Sequence, residues 1–205
     1  MKKGKFIVVD GIDGSGKSTQ IKMLKKRLGA RATFTHDPGG TPTGEAIRTI
    51  LLGKARLSPV ALLLLFLASR AALVEEVIAP ALARGKNVIS DRFDSSTFAY
   101  QVHASGHTEF RPLMKAFAQN VLKDTRPDAY VLLDSDPVLA RRRLFTDRKK
   151  KLNAYDKKPL SFHRAVRAGF KKIKSAGSKV FIVNGDRAPE EVFKDVSSIV
   201  SRILN

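Results

Sequence analysis

Gly11-Ile12-Asp13-Gly14-Ser15-Gly16-Lys17-Ser18 is a complete G-x-x-x-x-G-K-S stretch, set between a short apolar run ending at Asp10 and an amphipathic stretch that begins at Lys17. That context supplies its mechanics. Glycines let a loop wrap closely enough for its backbone N–H groups to point inward, and the N-terminus of a following helix adds a field that favours anionic oxygens. A polyphosphate fits such a cradle, surrounded by residues 11–18 and by Thr19 at the start of the helix. Lys17 is expected to bridge β- and γ-phosphate oxygens, and the Ser18 hydroxyl to ligate Mg²⁺. The loop alone leaves the acceptor open, because GTPases, ATPases and small-molecule kinases all share it.

Outward from the loop, short apolar runs at 5–10, 32–35, 87–91, 129–134 and 179–184 alternate with longer stretches that read as helices at 17–28, 44–52, 59–84, 110–123, 137–146, 161–175 and 189–204. This alternation is the mark of βαβ units on a mostly parallel sheet. Each run is apolar on both faces, as strands covered from two sides are. The expectation is an α/β fold with a five-stranded, mostly parallel sheet flanked by helices on both faces. A chain of 205 residues is long enough for one substantial core and short for two, so a single domain over 1–205 is expected. The polar, lysine-rich segment at about 146–159 is the candidate lid.

The chain has no cysteine, which excludes disulfides, thiolate metal sites and thiol catalysis. The apolar stretch at 6–9 is too short for a secretory signal. The most hydrophobic segment, ALLLLFLA at 61–68, is followed by Ser69 and Arg70, whereas a bilayer span needs about 20 apolar residues. It reads as a buried helix, with no membrane partner and the cytoplasm as the expected compartment. The formal charge of +19 is unevenly spread: positions 141–174 hold 14 Lys or Arg against two acids, Asp147 and Asp156. Nucleic acid, nucleoside phosphates and plain surface solvation each account for such a balance, and solvation is preferred for most of the individual lysines.

Asp91 and Arg92 close the third apolar run, which puts both at the C-terminal end of a strand, where open α/β sheets bind ligands. Asp91 is a candidate for the Mg²⁺ shell. Arg92, with a planar fork suited to phosphate, is a candidate to grip a second phosphorylated ligand. A structural ion pair between the two is the alternative.

Taken together, several segments resemble the thymidylate kinase family over nearly the whole chain. They are residues 10–20 around the loop, then Asp37-Pro38-Gly39-Gly40-Thr41-Pro42-Thr43-Gly44-Glu45 with Ile47-Arg48, and Leu65-Phe66-Leu67-Ala68-Ser69-Arg70. After them come Asp91-Arg92-Phe93-Asp94-Ser95-Ser96-Thr97-Phe98-Ala99-Tyr100-Gln101, and Phe162-His163 with Val166-Arg167-Ala168-Gly169-Phe170. The resemblance implies a P-loop NTPase fold, ATP and Mg²⁺ as donor and cofactor, dTMP as acceptor, and a homodimer. It also implies roles. Phe66 would stack on thymine, Arg70 would donate to a base carbonyl, and Gln101 with Ser96 or Thr97 would complete the base contacts. Arg92 and Arg48 would clamp the monophosphate, Asp13 would accept from the sugar 3′-OH, and Tyr100 would crowd the 2′ position. Asp37 and Ser69 complete the acceptor-side set, and Lys17, Asp91 and Arg92 the catalytic one. By themselves, Phe66 and Tyr100 read equally as packing residues and Arg48 as a solvated helix position.

Two positions depart from the family. Relatives commonly have Arg-Glu before Pro-Gly-Gly where this chain has His36-Asp37, and a lid arginine where this chain has Ala154 in Asn153-Ala154-Tyr155-Asp156. Arg142, Arg143, Arg148 or one of Lys149, Lys150 and Lys151 would have to supply the lid charge, and Arg148 is the candidate. The rival readings are a related monophosphate or nucleoside kinase with another acceptor base, and a basic nucleic-acid-binding protein without kinase activity. The pairing of Lys17 and Ser18 with Asp91 and Arg92 counts against the latter, because binding DNA has no need of it.

Overall fold

A computed structural model of the protein describes residues 3–53, 55–146, 152–173 and 177–204. Its elements run β1 (Phe6–Gly11), α1 (Lys17–Leu28), β2 (Ala32–His36), α2 (Pro42–Leu52), α3 (Pro59–Leu73), α4 (Ala79–Ala83), β3 (Asn87–Asp91) and α5 (Asp94–Thr97). They continue with α6 (Arg111–Phe117), β4 (Ala129–Asp134), α7 (Pro137–Thr146), α8 (Leu160–Lys171), β5 (Lys179–Asn184) and α9 (Pro189–Leu204).

Every residue of β1 is buried, and the pleat explains how one strand serves two cores. Phe6 and Val8 point into one apolar cluster with Tyr130 and Leu132 of β4 and Val166 of α8, while Ile7 and Val9 point into another with Val131, Leu133 and Leu24 of α1. On α9, Val192, Val196, Ile199 and Val200 recur at helical spacing and close the second cluster. The sheet order is β2-β3-β1-β4-β5, and all four pairings are parallel. The mostly parallel sheet expected from the sequence is thus fully parallel among the described residues, in the P-loop NTPase arrangement.

The register decides which side chains meet at the carboxyl edge. Val9 lies opposite Asp91, so Asp10 and Gly11 of β1 stand beside Arg92, the residue that leaves β3. The order reverses across β1, with β3 on one side and β4 on the other, and this switch point is where open sheets form a crevice.

Helix 59–84, expected as one regular helix, is interrupted: α3 passes through a π-helical turn at Val74–Ile78 into α4, where Pro80 lacks the N–H that a regular ladder requires. A second π-helical stretch, Phe98–Ala104, prolongs α5, and it carries Tyr100 and Gln101. Among the described residues no helix is long and apolar enough to cross a membrane.

Candidate active site

Between β1 and α1 the glycine loop wraps as its composition demands. Gly14 has φ +81°, and a Cβ there would fall 2.2 Å from the Ala140 carbonyl oxygen; Gly16, at φ +95°, caps α1. Lys17 opens that helix. Its ammonium donates to the Gly11 and Ile12 carbonyls at 2.9 and 2.8 Å, and burial, followed by the nearby charge of Arg92, pulls it down to about 8. A cavity of about 720 Å³ opens here, lined by Gly16, Lys17, Ser18, Thr19, Asp91 and Arg92. Asp91 Oδ1 is buried without a hydrogen-bond partner.

Arg92 adopts φ +70°, a left-handed conformation that costs a residue with a side chain about 1–2 kcal/mol. Its backbone is held at both ends: the N–H donates to Val9 O at 3.0 Å, and the carbonyl accepts from Ser90 Oγ at 2.7 Å. The turn aims the guanidinium back over β1. Nη1 donates to Asp10 Oδ1 (3.2 Å), the Gly11 carbonyl (3.1 Å) and Ser96 Oγ (2.9 Å), and Nη2 to Asp13 Oδ1 (2.7 Å). Burial opposes the Arg92 charge, but Asp13, Tyr100 and Asp10 outweigh it and hold the group well above its ordinary value. Asp10 is fully buried; it also accepts from the Gly11 N–H and from the hydroxyls of Ser95 and Ser96, and burial pushes its carboxyl up against the pull of Arg92 and Lys17. Burial, then Asp13, likewise raises Tyr100, whose hydroxyl donates to Asp13 Oδ2 at 2.7 Å.

A second, smaller cavity of about 110 Å³ adjoins, lined by Phe66, Arg70, Arg92, Thr97, Tyr100 and Gln101 among others. Arg70 and Asp37 form an ion pair at 2.7 Å with both side chains 1% exposed, and Arg70 Nη2 donates to Thr97 Oγ1. Arg70 Nη1 and Asp37 Oδ1 are buried without hydrogen-bond partners, and both residues line this cavity. Gln101 Nε2 donates to the Tyr155 hydroxyl at 2.8 Å, and burial raises that phenol to about 12. Arg48 lines both cavities, with Nη1 donating to the Pro38 carbonyl.

The structure thus brings together Asp13, Asp37, Arg48, Phe66, Arg70, Arg92, Ser96, Thr97, Tyr100 and Gln101 around the smaller cavity, and Lys17, Ser18, Thr19 and Asp91 around the larger. Ser69 lines neither cavity; its buried hydroxyl accepts from the Gly39 N–H and secures the glycine turn after β2. Arg148 and residues 149–151 lie outside the described residues. Of the other lid candidates, Arg143 lines the phosphate cavity, anchored on the Gly185 carbonyl. His36 lines it too, paired with Glu45 at 2.7 Å.

Sequence reasoning missed Asp10, Asn153 and Tyr155. Asp10 looked like the end of a strand, and nothing local announces that a buried carboxylate there meets Arg92. The lid residues carried a faint signal, since Asn153 and Asp156 at a spacing of three cap each other's backbone: Asn153 Oδ1 accepts from the Tyr155 and Asp156 N–H groups, and Asp156 Oδ2 from that of Asn153. The resulting turn brings Asn153 to both cavities and Tyr155 to the smaller one, and leaves Ala154 exposed.

A family model described as Thymidylate kinase matches residues 9–196. The thymidylate kinase of Deinococcus radiodurans is 38% identical over 195 residues, which cover 93% of this chain and 93% of that one. That of Thermoanaerobacter sp. (strain X514) is 37% identical over 207 residues, 98% of this chain and 100% of the relative. The crystal structure of thymidylate kinase from Ehrlichia chaffeensis matches with a TM-score of 0.76 at 28% identity, covering 97% of this chain and 99% of that chain.

Proposed function

The chain belongs to the thymidylate kinase family, and from that premise we propose that it transfers the γ-phosphoryl group of ATP to dTMP, giving dTDP and ADP. The observation that carries this reading is Arg92, which lines the phosphate cavity with Lys17 and the smaller cavity with Phe66 and Arg70. In it, an acceptor phosphate oxygen bonds to the γ-phosphorus while the bond from that phosphorus to the β–γ bridging oxygen breaks, and the electron pair leaves with ADP. Little proton chemistry is needed. Residues 11–19 hold the donor phosphates, Lys17 spans the β- and γ-oxygens, and Arg92 with Arg48 holds the acceptor phosphate, so positioning and fixed charge supply the catalysis. Phe66 stacks on the base, Arg70 Nη1 donates to a base carbonyl, and Thr97 and Gln101 shape the rest of that pocket. Asp13, braced by Tyr100, accepts from the 3′-hydroxyl. Arg143 is the α7 cation suited to the donor phosphates.

The residues fit Mg²⁺. Ser18 and Asp91 line the phosphate cavity, Asp91 Oδ1 has no protein partner, and among the described residues no cluster of three or more acids or histidines offers a closed cage. One hydroxyl and one carboxylate leave the other positions to water and phosphate, as this ion prefers. When bound, it supplies positive charge to the β- and γ-phosphate oxygens.

A panel of monophosphates and nucleosides, each incubated with the enzyme, ATP and Mg²⁺ while ADP is followed, tests the acceptor. dTMP is expected to outpace dUMP, dCMP and every unphosphorylated nucleoside, and a clear win by any of those would remove the assignment. In the same assay Ala154→Arg and His36→Arg are expected to raise turnover or dTMP affinity, since His36 lines the phosphate cavity and position 154 follows Asn153, which lines it too. Unchanged kinetics in both would show that Arg143 and its neighbours already suffice.

The same reading includes a homodimer and a cytoplasmic site of action. Val60 and Leu64, one turn apart on α3, are 52% and 49% exposed, and Leu113 on α6 is 40% exposed, apolar side chains that a second copy would cover. Light scattering is expected to return twice the chain mass, and a monomer at micromolar concentration would contradict it.

A further inference from the structure

A separate cavity of about 360 Å³ shares no lining residue with the two just described, although it abuts the segment that follows Arg92. Its apolar wall is Phe98, Met114 and Ile173, and its charged rim is Arg111, Lys172 and Asp94. Arg111 lies over the Phe98 ring at 5.7 Å, and His103 stacks on the same ring at 6.5 Å. Among the described residues neither Arg111 nor Lys172 has an ion-pair partner. The one acid at the rim, Asp94, is paired with neither of them, and its Oδ1 accepts from the Tyr130 hydroxyl at 2.7 Å. His103 reports the imbalance: burial, then the charges of Lys172 and Arg111, hold its imidazole below the ordinary value.

Two cations against one carboxylate, beside an aromatic wall, leave a net positive potential, and a concave site of a few hundred Å³ with few polar groups is the usual form of a small-molecule pocket. We propose that this cavity is a second ligand site, selective for a small aromatic ring that bears a phosphate or carboxylate, and that its occupancy is felt at the acceptor cavity. The oxyanion meets Arg111, whose fork suits two oxygens, and Lys172; the ring meets Phe98, Met114 and Ile173. The route to the acceptor side is short. Ser95 lines this cavity and donates to Asp10 Oδ2 at 2.6 Å, and Asp10 holds Arg92. Phe98 opens the π-helical stretch that carries Tyr100 and Gln101.

Phenyl phosphate is a suitable probe, titrated into the full chain with ADP and dTMP saturating the cavities at Lys17 and Arg92. Saturable binding is expected, with movement of the His103 imidazole resonances, and benzoate in a parallel titration separates carboxylate from phosphate preference. Inorganic phosphate is expected to bind at least about tenfold more weakly, and Arg111→Ala with Lys172→Ala to weaken phenyl phosphate by at least about tenfold. Both substituted side chains are exposed, so the fold is preserved. At saturating ATP and dTMP, phenyl phosphate is expected to change the turnover of the native chain and leave that of the double variant unchanged. Equal binding to the double variant, equal affinity for inorganic phosphate, or unmoved His103 resonances would each overturn the site. Saturation with unchanged native turnover would overturn the link to the acceptor cavity. None of these results touches the acceptor panel, which tests the phosphoryl transfer itself.

Discussion

Arg92→Ala is expected to lower turnover by about 10³-fold or more, the range in which a single arginine acts on a transferring phosphoryl group. The side chain sits where both nucleotides would meet, lining the phosphate and acceptor cavities at once. Arg92→Lys is expected to recover only part of the loss, because an ammonium lacks the fork that contacts Asp10, Gly11 and Ser96 through one nitrogen and Asp13 through the other. The same substitution has a signature in stability. Arg92 is the largest influence opposing the burial that raises Asp10, so without it that carboxyl rises further. A carboxyl whose value is higher folded than unfolded holds more protons in the native state, so its contribution to stability falls as pH rises from about 4, the unfolded value. Melting temperatures of Arg92→Ala should therefore drop relative to the native chain between mildly acid and neutral pH. Asp10→Asn should cost turnover in the native background and little in the Arg92→Ala background, since its contribution acts through the arginine. Turnover within tenfold of native, or melting curves that run parallel with pH, would show that Arg92 does not have this role.

Lys17→Met is expected to reduce turnover by at least about 10²–10³-fold, the cost of removing a preorganised charge from the transferring group. Here the fold should not suffer. The ammonium is buried, and burial together with Arg92 outweighs the attraction of Asp13, Asp91 and Asp10 and pulls it down to about 8, so replacing it removes more desolvation and repulsion than attraction. The Gly11 carbonyl keeps a donor in Arg92 Nη1 at 3.1 Å. A melting temperature equal to or above that of the native chain, with ATP binding weakened and turnover nearly lost, is the expected combination. A variant that melts normally and still turns over within tenfold of native would exclude Lys17 from the transfer.

Much of the site was legible because its signals are local. The glycine loop, its strand and its helix occupy one contiguous segment, and their conformational needs are met by the residues that announce them: φ +81° at Gly14, φ +95° at Gly16, and no space for a Cβ against Ala140. The two-sided burial of β1 was readable from Phe6-Ile7-Val8-Val9 alone, since an apolar run without alternation needs cover on both faces. The interruptions of the long helices were less visible. Pro80 stood in the sequence, but a proline near a helix end is compatible with several ways of rearranging the ladder. The turn at Phe98–Ala104 has no proline or glycine within it to announce the change of ladder.

Alternation of apolar runs and amphipathic stretches, together with the loop at 11–18, was enough to determine a parallel α/β sheet with a polyphosphate cradle at its carboxyl edge, because periodicity and glycine conformation depend on near neighbours only. The partners of Arg92 were decided by tertiary structure: the register that sets Val9 opposite Asp91 brings Asp10 and Asp13 within reach of a residue about 80 positions away. The same holds for the sealed pair of Arg70 and Asp37 and for Tyr155 at the acceptor cavity. Long-range contacts of this kind arise from strand pairing and burial, and charge or hydrophobicity along the chain carries no record of which distant side chain will share a buried carboxylate.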